Sequence, residues 1–151
     1  MDIYLLIYLI FIAGPFSVLL HESGHAIASR VLSAKHITVS LGYGKKISTI
    51  VFERFQLNIH IVYFLGGLAS SEREKPYKSS EIIWITISGP IANGLFTCVF
   101  YFIYVMYLNE YVFLLCLFNL WLTVINIIPF RINGKQTDGY TILNEFFKHN
   151  N

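Results

Sequence analysis

Charge is what this sequence has least of. Only 13% of its 151 residues are Asp, Glu, Lys or Arg, about half the share of an ordinary soluble domain, while 55% are apolar and 17% aromatic. A chain so poor in charge is expected to use a lipid bilayer as its solvent. The net charge of +2, with no basic stripe interleaved with aromatics, excludes nucleic acid as a partner. The two cysteines, Cys98 and Cys116, sit inside apolar runs without ligand spacing. They exclude a disulfide framework and read as small buried hydrophobes. There is no internal repeat and no low-complexity tract, and the length suits about one domain, taken here as 1–151.

What the sequence does have is long apolar runs. Residues 3–20 carry no charge, and 18 helical residues reach roughly 27 Å against a hydrocarbon core of about 30 Å. The helix is expected to continue to about residue 30. No basic segment precedes Ile3 and no small-residue cleavage pattern follows, so a retained span is expected rather than a signal peptide. Two further spans are expected over about 82–108 and 111–130, parted only by Asn109 and Glu110 and therefore antiparallel. The fold class that follows is mostly α: a polytopic membrane protein of three transmembrane helices, with a small antiparallel β-sheet between the first and second. That sheet is expected from the alternation in residues 36–63 (Ile37, Val39, Leu41; Ile47, Thr49, Val51; Phe55, Leu57, Ile59, Ile61), with turns at Gly42 to Gly44 and at Glu53-Arg54. Its outer strand would offer an edge to an extended peptide. Residues 70–80 read as a solvated loop, and 131–151 as a tail.

All eleven Lys and Arg residues fall on one side of this three-span arrangement. Basic residues remain in the cytoplasm, so the amino terminus is expected outside and the carboxyl terminus within.

Chemistry concentrates at the end of the first span. In His21-Glu22-Ser23-Gly24-His25, two histidines four residues apart share one helical face and can hold one zinc ion, and Glu22 can serve as general base. Ionisable groups at the end of an apolar run are costly without a function. Gly24 keeps this helix slim enough for a substrate or a neighbouring backbone to approach. A catalytic zinc site has three protein ligands and one open position. Asp138, followed by Gly139 just past the third span, is the preferred third ligand; Glu145, His36, His60 and His149 are alternatives by residue type. Asn93 and Asn126 could donate to an oxyanion or bond between helices, and for Asn119 the interhelical role is the expected one.

These motifs resemble, in order, those of the site-2 protease family of intramembrane zinc metalloproteases. His21 to His25 resembles the family's zinc helix, Ser88-Gly89-Pro90-Ile91-Ala92-Asn93 its Gly-Pro and Asn segment, and Asn126-Ile127-Ile128-Pro129 with Asp138-Gly139 its third-ligand motif. The interval from Pro129 to Asp138 is longer than the family's, with Asn133-Gly134 as a turn signal inside it. The resemblance implies a small bacterial enzyme of the cell membrane. It implies metal ligands His21, His25 and Asp138, Glu22 as base, substrate-facing Asn93 and Asn126, and Zn2+ as cofactor. The expected partners are a membrane-embedded peptide or protein substrate and the bilayer, with an adaptor or a second copy of the chain as a further possibility for substrate choice. Two other readings use the same residues: an inactive scaffold that holds membrane peptides, and a metal-handling transporter. The transporter would need a polar path through the second and third spans, where polar residues are sparse.

Overall fold

The computed structural model describes residues 2–132 and 134–149. Helix α1 (Ile3–Tyr8), one π-helical turn (Leu9–Ala13) and α2 (Gly14–Val31) run as a continuous rod. The wide turn sits where Pro15 interrupts the ladder: with no N–H, Pro15 cannot reach the carbonyl of Phe11 four residues back. That carbonyl accepts the Tyr63 hydroxyl instead, at 3.3 Å. Helices α3 (Ser79–Tyr107) and α4 (Glu110–Ile127) form the expected hairpin. Leu108 turns it in a left-handed conformation, and the Asn109 side chain caps α4 by accepting from the Tyr111 N–H at 2.9 Å.

The rod and the two helices of the hairpin are each long and apolar enough to cross a membrane. Their polarity is inverted relative to a soluble bundle. Ser17, His21, Glu22, Ser29, Thr86, Asn93 and Asn119 are buried among the helices. Leu95, Val99, Phe102 and Met106, one stripe of α3, point outward with 48–67% of their surface exposed.

The third helix stops at Ile127 rather than at residue 130. Pro129 has no N–H and holds Ile128 extended, with φ −68° and ψ 123°.

The sheet is larger than the expected 36–63. It consists of two long strands, β1 (His36–Phe52) and β2 (Phe55–Glu72), each bent in the middle. Residues 46–52 pair antiparallel with 55–60, and residues 36–41 pair antiparallel with 67–72. Residues 37–41 also lie beside 55–59, with both numbers rising together, so the sheet is four segments wide and 67–72 forms one of its edges. Gly42 and Gly44 carry positive φ at the bend of β1, and Gly66 at the bend of β2. Ile37 and Val39 pack on Ala26 and Ala34, which fixes the sheet to the end of α2.

Two expectations about loops fail. Ser70, Ser71 and Glu72 are strand, because their polar side chains alternate along an edge paired to residues 36–38. Ser79 and Ser80 already belong to α3. Nor is the chain after Pro129 a plain tail. Strands β3 (Arg131–Ile132) and β4 (Lys135–Gln136) form a small hairpin, followed by helix α5 (Asp138–His149). Gly134 takes positive φ at its turn; Asn133, the other half of the expected turn signal, lies outside the described residues.

Candidate metal centre

Side chains from two elements converge on one point. The i, i+4 spacing in α2 puts the imidazoles of His21 and His25 on one face, their Nε2 atoms 3.2 Å apart. Asp138, the first residue of α5, brings Oδ2 to 2.9 Å from His21 Nε2 and Oδ1 to 3.6 Å from His25 Nε2.

The long interval before Asp138 is absorbed by the β3–β4 hairpin. At its base Phe130 and Thr137 are drawn together: the Phe130 N–H donates to Thr137 Oγ1 and the Thr137 N–H to the Phe130 carbonyl, both at 3.1 Å. The Thr137 hydroxyl donates to Ile128 O at 2.7 Å and accepts from the Tyr140 N–H at 3.3 Å, so it also caps α5. Asp138 is thereby returned to the end of α4. Gly139 then passes so close to the Ile127 carbonyl that a Cβ could not fit. Thr137 was not singled out from the sequence, although Thr-Asp-Gly before a run with helical periodicity is a start signal.

Hydrogen bonds fix the tautomers. Asn93 Nδ2 donates to Ser17 O at 3.0 Å and to Asn119 Oδ1 at 2.7 Å, which orients the amide. Asn93 Oδ1, 2.6 Å from His21 Nδ1, is then an acceptor, so Nδ1 carries the hydrogen. His25 Nδ1 likewise donates to the Ile85 carbonyl at 2.8 Å. Both Nε2 atoms present lone pairs to each other and to the carboxylate. Asp138 Oδ2 is buried without a hydrogen-bond partner. Three electron-rich groups whose ligand atoms lie within 4.8 Å of one another repel unless a cation sits among them. Two imidazoles with anchored Nδ1–H groups and one carboxylate are a donor set suited to zinc.

Gly89 makes the room: a Cβ there would overlap the His25 ring and come within 2.9 Å of His21 Nε2. Gly24 brings the backbones of α2 and α3 together, since its Cβ would meet the Ser88 carbonyl.

Glu22, Asn126, Asp138 and the edge residues 67–71 line a cavity of about 350 Å³ with the two histidines. Glu22 is buried, with its side chain against the edge strand at Gly67. Gly67 is the gap through which the strand passes, because a Cβ would press on Glu22 Cγ at 2.9 Å.

One expectation changes. Asn93 is not placed to donate to an oxyanion: it is fully buried, and its amide hydrogens are committed to Ser17 and Asn119 while its oxygen serves His21. Asn126 remains at the cavity, with Nδ2 donating to Leu122 O at 2.9 Å. The alternative ligands lie elsewhere. His60 Nδ1 bonds Leu41 O at 3.1 Å within the sheet, and His36 is exposed at the sheet's end. Glu145 pairs with Lys148 at 2.6 Å. The side chain of His149 lies outside the described residues.

Three helices long and apolar enough to span a membrane, with His21 and His25 of the first facing Asp138 of α5, are the arrangement expected of a membrane metallopeptidase. The model of peptidase family M50 matches residues 8–110, and the chain belongs to that family, the site-2 proteases. The matched stretch includes His21 to His25 and Asn93 and ends before Asp138. No curated protein matches the chain significantly.

Proposed function

We propose that this chain is an integral membrane zinc endopeptidase that hydrolyses a peptide bond in or near the membrane segment of a small membrane protein or peptide precursor. The observation that carries this reading is the convergence of two lone-pair nitrogens and an unpartnered carboxylate oxygen beside Glu22.

His21, His25 and Asp138 hold the metal. When bound, zinc would supply Lewis acidity toward the scissile carbonyl and the attacking water. Glu22 takes one proton from the attacking water and delivers it to the amine as the C–N bond breaks, ending as the carboxylate it began as. Asn126 spends one amide hydrogen on Leu122 O and offers the other to the developing oxyanion. Asn93 is a positioning residue that holds His21 in the ligating tautomer. The substrate unwinds and adds as an extended strand along 67–71, where the edge runs over Glu22. The cell membrane is bacterial, with the amino terminus outside and the carboxyl terminus in the cytoplasm.

The test is turnover of a membrane peptide by the protein in proteoliposomes. Glu22→Gln should lower turnover by roughly 10²–10⁴-fold while the protein keeps its zinc. Equal turnover removes Glu22 as base; zinc retained with peptide bound but never cut by the parent makes the chain a scaffold. Ser71→Pro, which deletes an outward N–H of the edge without touching Glu22, should raise KM, and unchanged kinetics would rule out strand addition.

A further inference from the structure

Two hollows meet at Arg54, and neither is lined by His21, His25 or Asp138. One, about 710 Å³, is lined by Lys35, Arg54, Arg73, Lys75 and Lys78 against only two carboxylates, Glu74 and Glu81. The other, about 410 Å³, lies between the end of α2 and the β1–β2 turn and is walled by Ala26, Ile27, Val31, Ile37, Phe52 and Phe55, with Arg30 and Glu53 at its rim.

The cations are not equivalent. Lys35 is paired with Glu74. Arg73 is paired with Glu81 at 2.7 Å, donates to Leu32 O at 3.1 Å and Pro76 O at 3.0 Å, and lies over the Tyr77 ring. These contacts brace the wall of the basic hollow. Arg54, Lys75 and Lys78 are exposed and have no ion pair among the described residues. Their charge faces an open basin.

The basin sits where spans end. Val31 closes α2, and Lys78 directly precedes α3. Ile27 and Val31, one turn apart, are 66% and 72% exposed, and Phe52 is 71% exposed. An unpaired basic basin that continues through one shared arginine into an apolar trough at the end of a span matches a ligand with an anionic head and an apolar tail.

We infer that this composite hollow binds an anionic phospholipid, its phosphate among Arg54, Lys75 and Lys78 and an acyl chain in the trough along Ile27, Val31 and Phe52. The inference rests on the membrane reading and does not involve the metal. A bound lipid would tie the β1–β2 turn to both α2 and the loop before α3, steadying the sheet whose far edge borders the cavity.

The experiment is native mass spectrometry of the purified protein exchanged into mixed micelles of phosphatidylglycerol and phosphatidylcholine. The parent should retain phosphatidylglycerol preferentially. Arg54→Gln/Lys78→Gln should cut that preference by roughly tenfold or more, whereas Lys45→Gln/Lys46→Gln, with the same loss of charge at the bend of β1, should preserve it. Equal losses in both variants, or no preference in the parent, would overturn the site. Phe52→Ser should weaken retention while leaving headgroup preference intact; no weakening would overturn the trough. Inorganic phosphate should fail to displace the lipid, and displacement would mean that a phosphate site alone is present. Melting in phosphatidylcholine should be the same for parent and variants. If a variant melts lower, the parent's own headgroup preference, and its loss when the acyl chains are shortened, decides the question. A chain that does not partition into lipid at all sinks the membrane reading, whereas a chain in lipid without headgroup preference sinks only this inference.

Discussion

The metal centre depends on residues that never touch the metal. The chain Ser17, Asn119, Asn93, His21 crosses three helices, with Asn119 donating to Ser17 Oγ at 2.8 Å and to Leu115 O at 2.8 Å. Removing Asn119 leaves a buried Asn93 hydrogen without its acceptor and loosens the acceptor of His21 Nδ1–H. Asn119→Ala should therefore weaken zinc binding about 10- to 100-fold, the effect of losing an outer-shell partner, read by competition with a chromophoric chelator. Asn119→Asp should recover part of it by restoring the acceptor. Unchanged affinity in Asn119→Ala would show that α4 does not hold the ligand. The spacing His21-Glu22-x-x-His25 was legible in the sequence because it is local. The role of Asn93 was not, because whether its amide faces substrate or a histidine depends on Ser17 and Asn119, 76 and 26 residues away.

At the scale of elements, the apolar runs placed the helices to within a few residues, and the misjudged end at 130 follows from Pro129. The strand alternation was legible, yet its extent was not. Polar residues 70–72 look like loop until their partners at 36–38 are known. Equally illegible was the β3–β4 hairpin, whose strands are two residues each, too short to show a period. Helix α5 carries Asp138 and packs on α3, and its buried Glu145 pairs with Lys148 one turn on within the same helix. That pairing lowers the Glu145 pKa below its ordinary range. A group whose pKa is lower folded than unfolded stabilises the fold above its unfolded pKa and ceases to do so as pH falls through the folded one. The parent should thus melt slightly above Glu145→Gln at neutral pH, the effect being small because Lys148 is exposed, and the gap should close in acid below the usual carboxylate range. A gap independent of pH would mean that packing at residue 145, not its charge, stabilises α5.

For the molecule as a whole, a polar interior and an apolar exterior fit the proposed membrane setting, where Ser, Asn and His side chains bond between helices without competition from water. The asymmetry of Lys and Arg is the basis of the proposed orientation. Ser33→Cys should react with a membrane-impermeant thiol reagent only from the cytoplasmic side, and Glu110→Cys only from outside; the reverse pattern would invert the topology. The sidedness also places the cavity, because His21 and His25 lie toward the end of α2 that meets the sheet and α5. On the proposed orientation, substrate cleavage would fall near the cytoplasmic face.

The most direct measurement is the zinc content of the detergent-purified protein, taken for the parent and for His21→Ala, His25→Ala, Asp138→Ala and Glu22→Gln. One zinc per chain in the parent and in Glu22→Gln, with loss in each of the other three, is the predicted result. Metal retained by Asp138→Ala would contradict the third ligand, and a parent that binds none would contradict the metal centre itself.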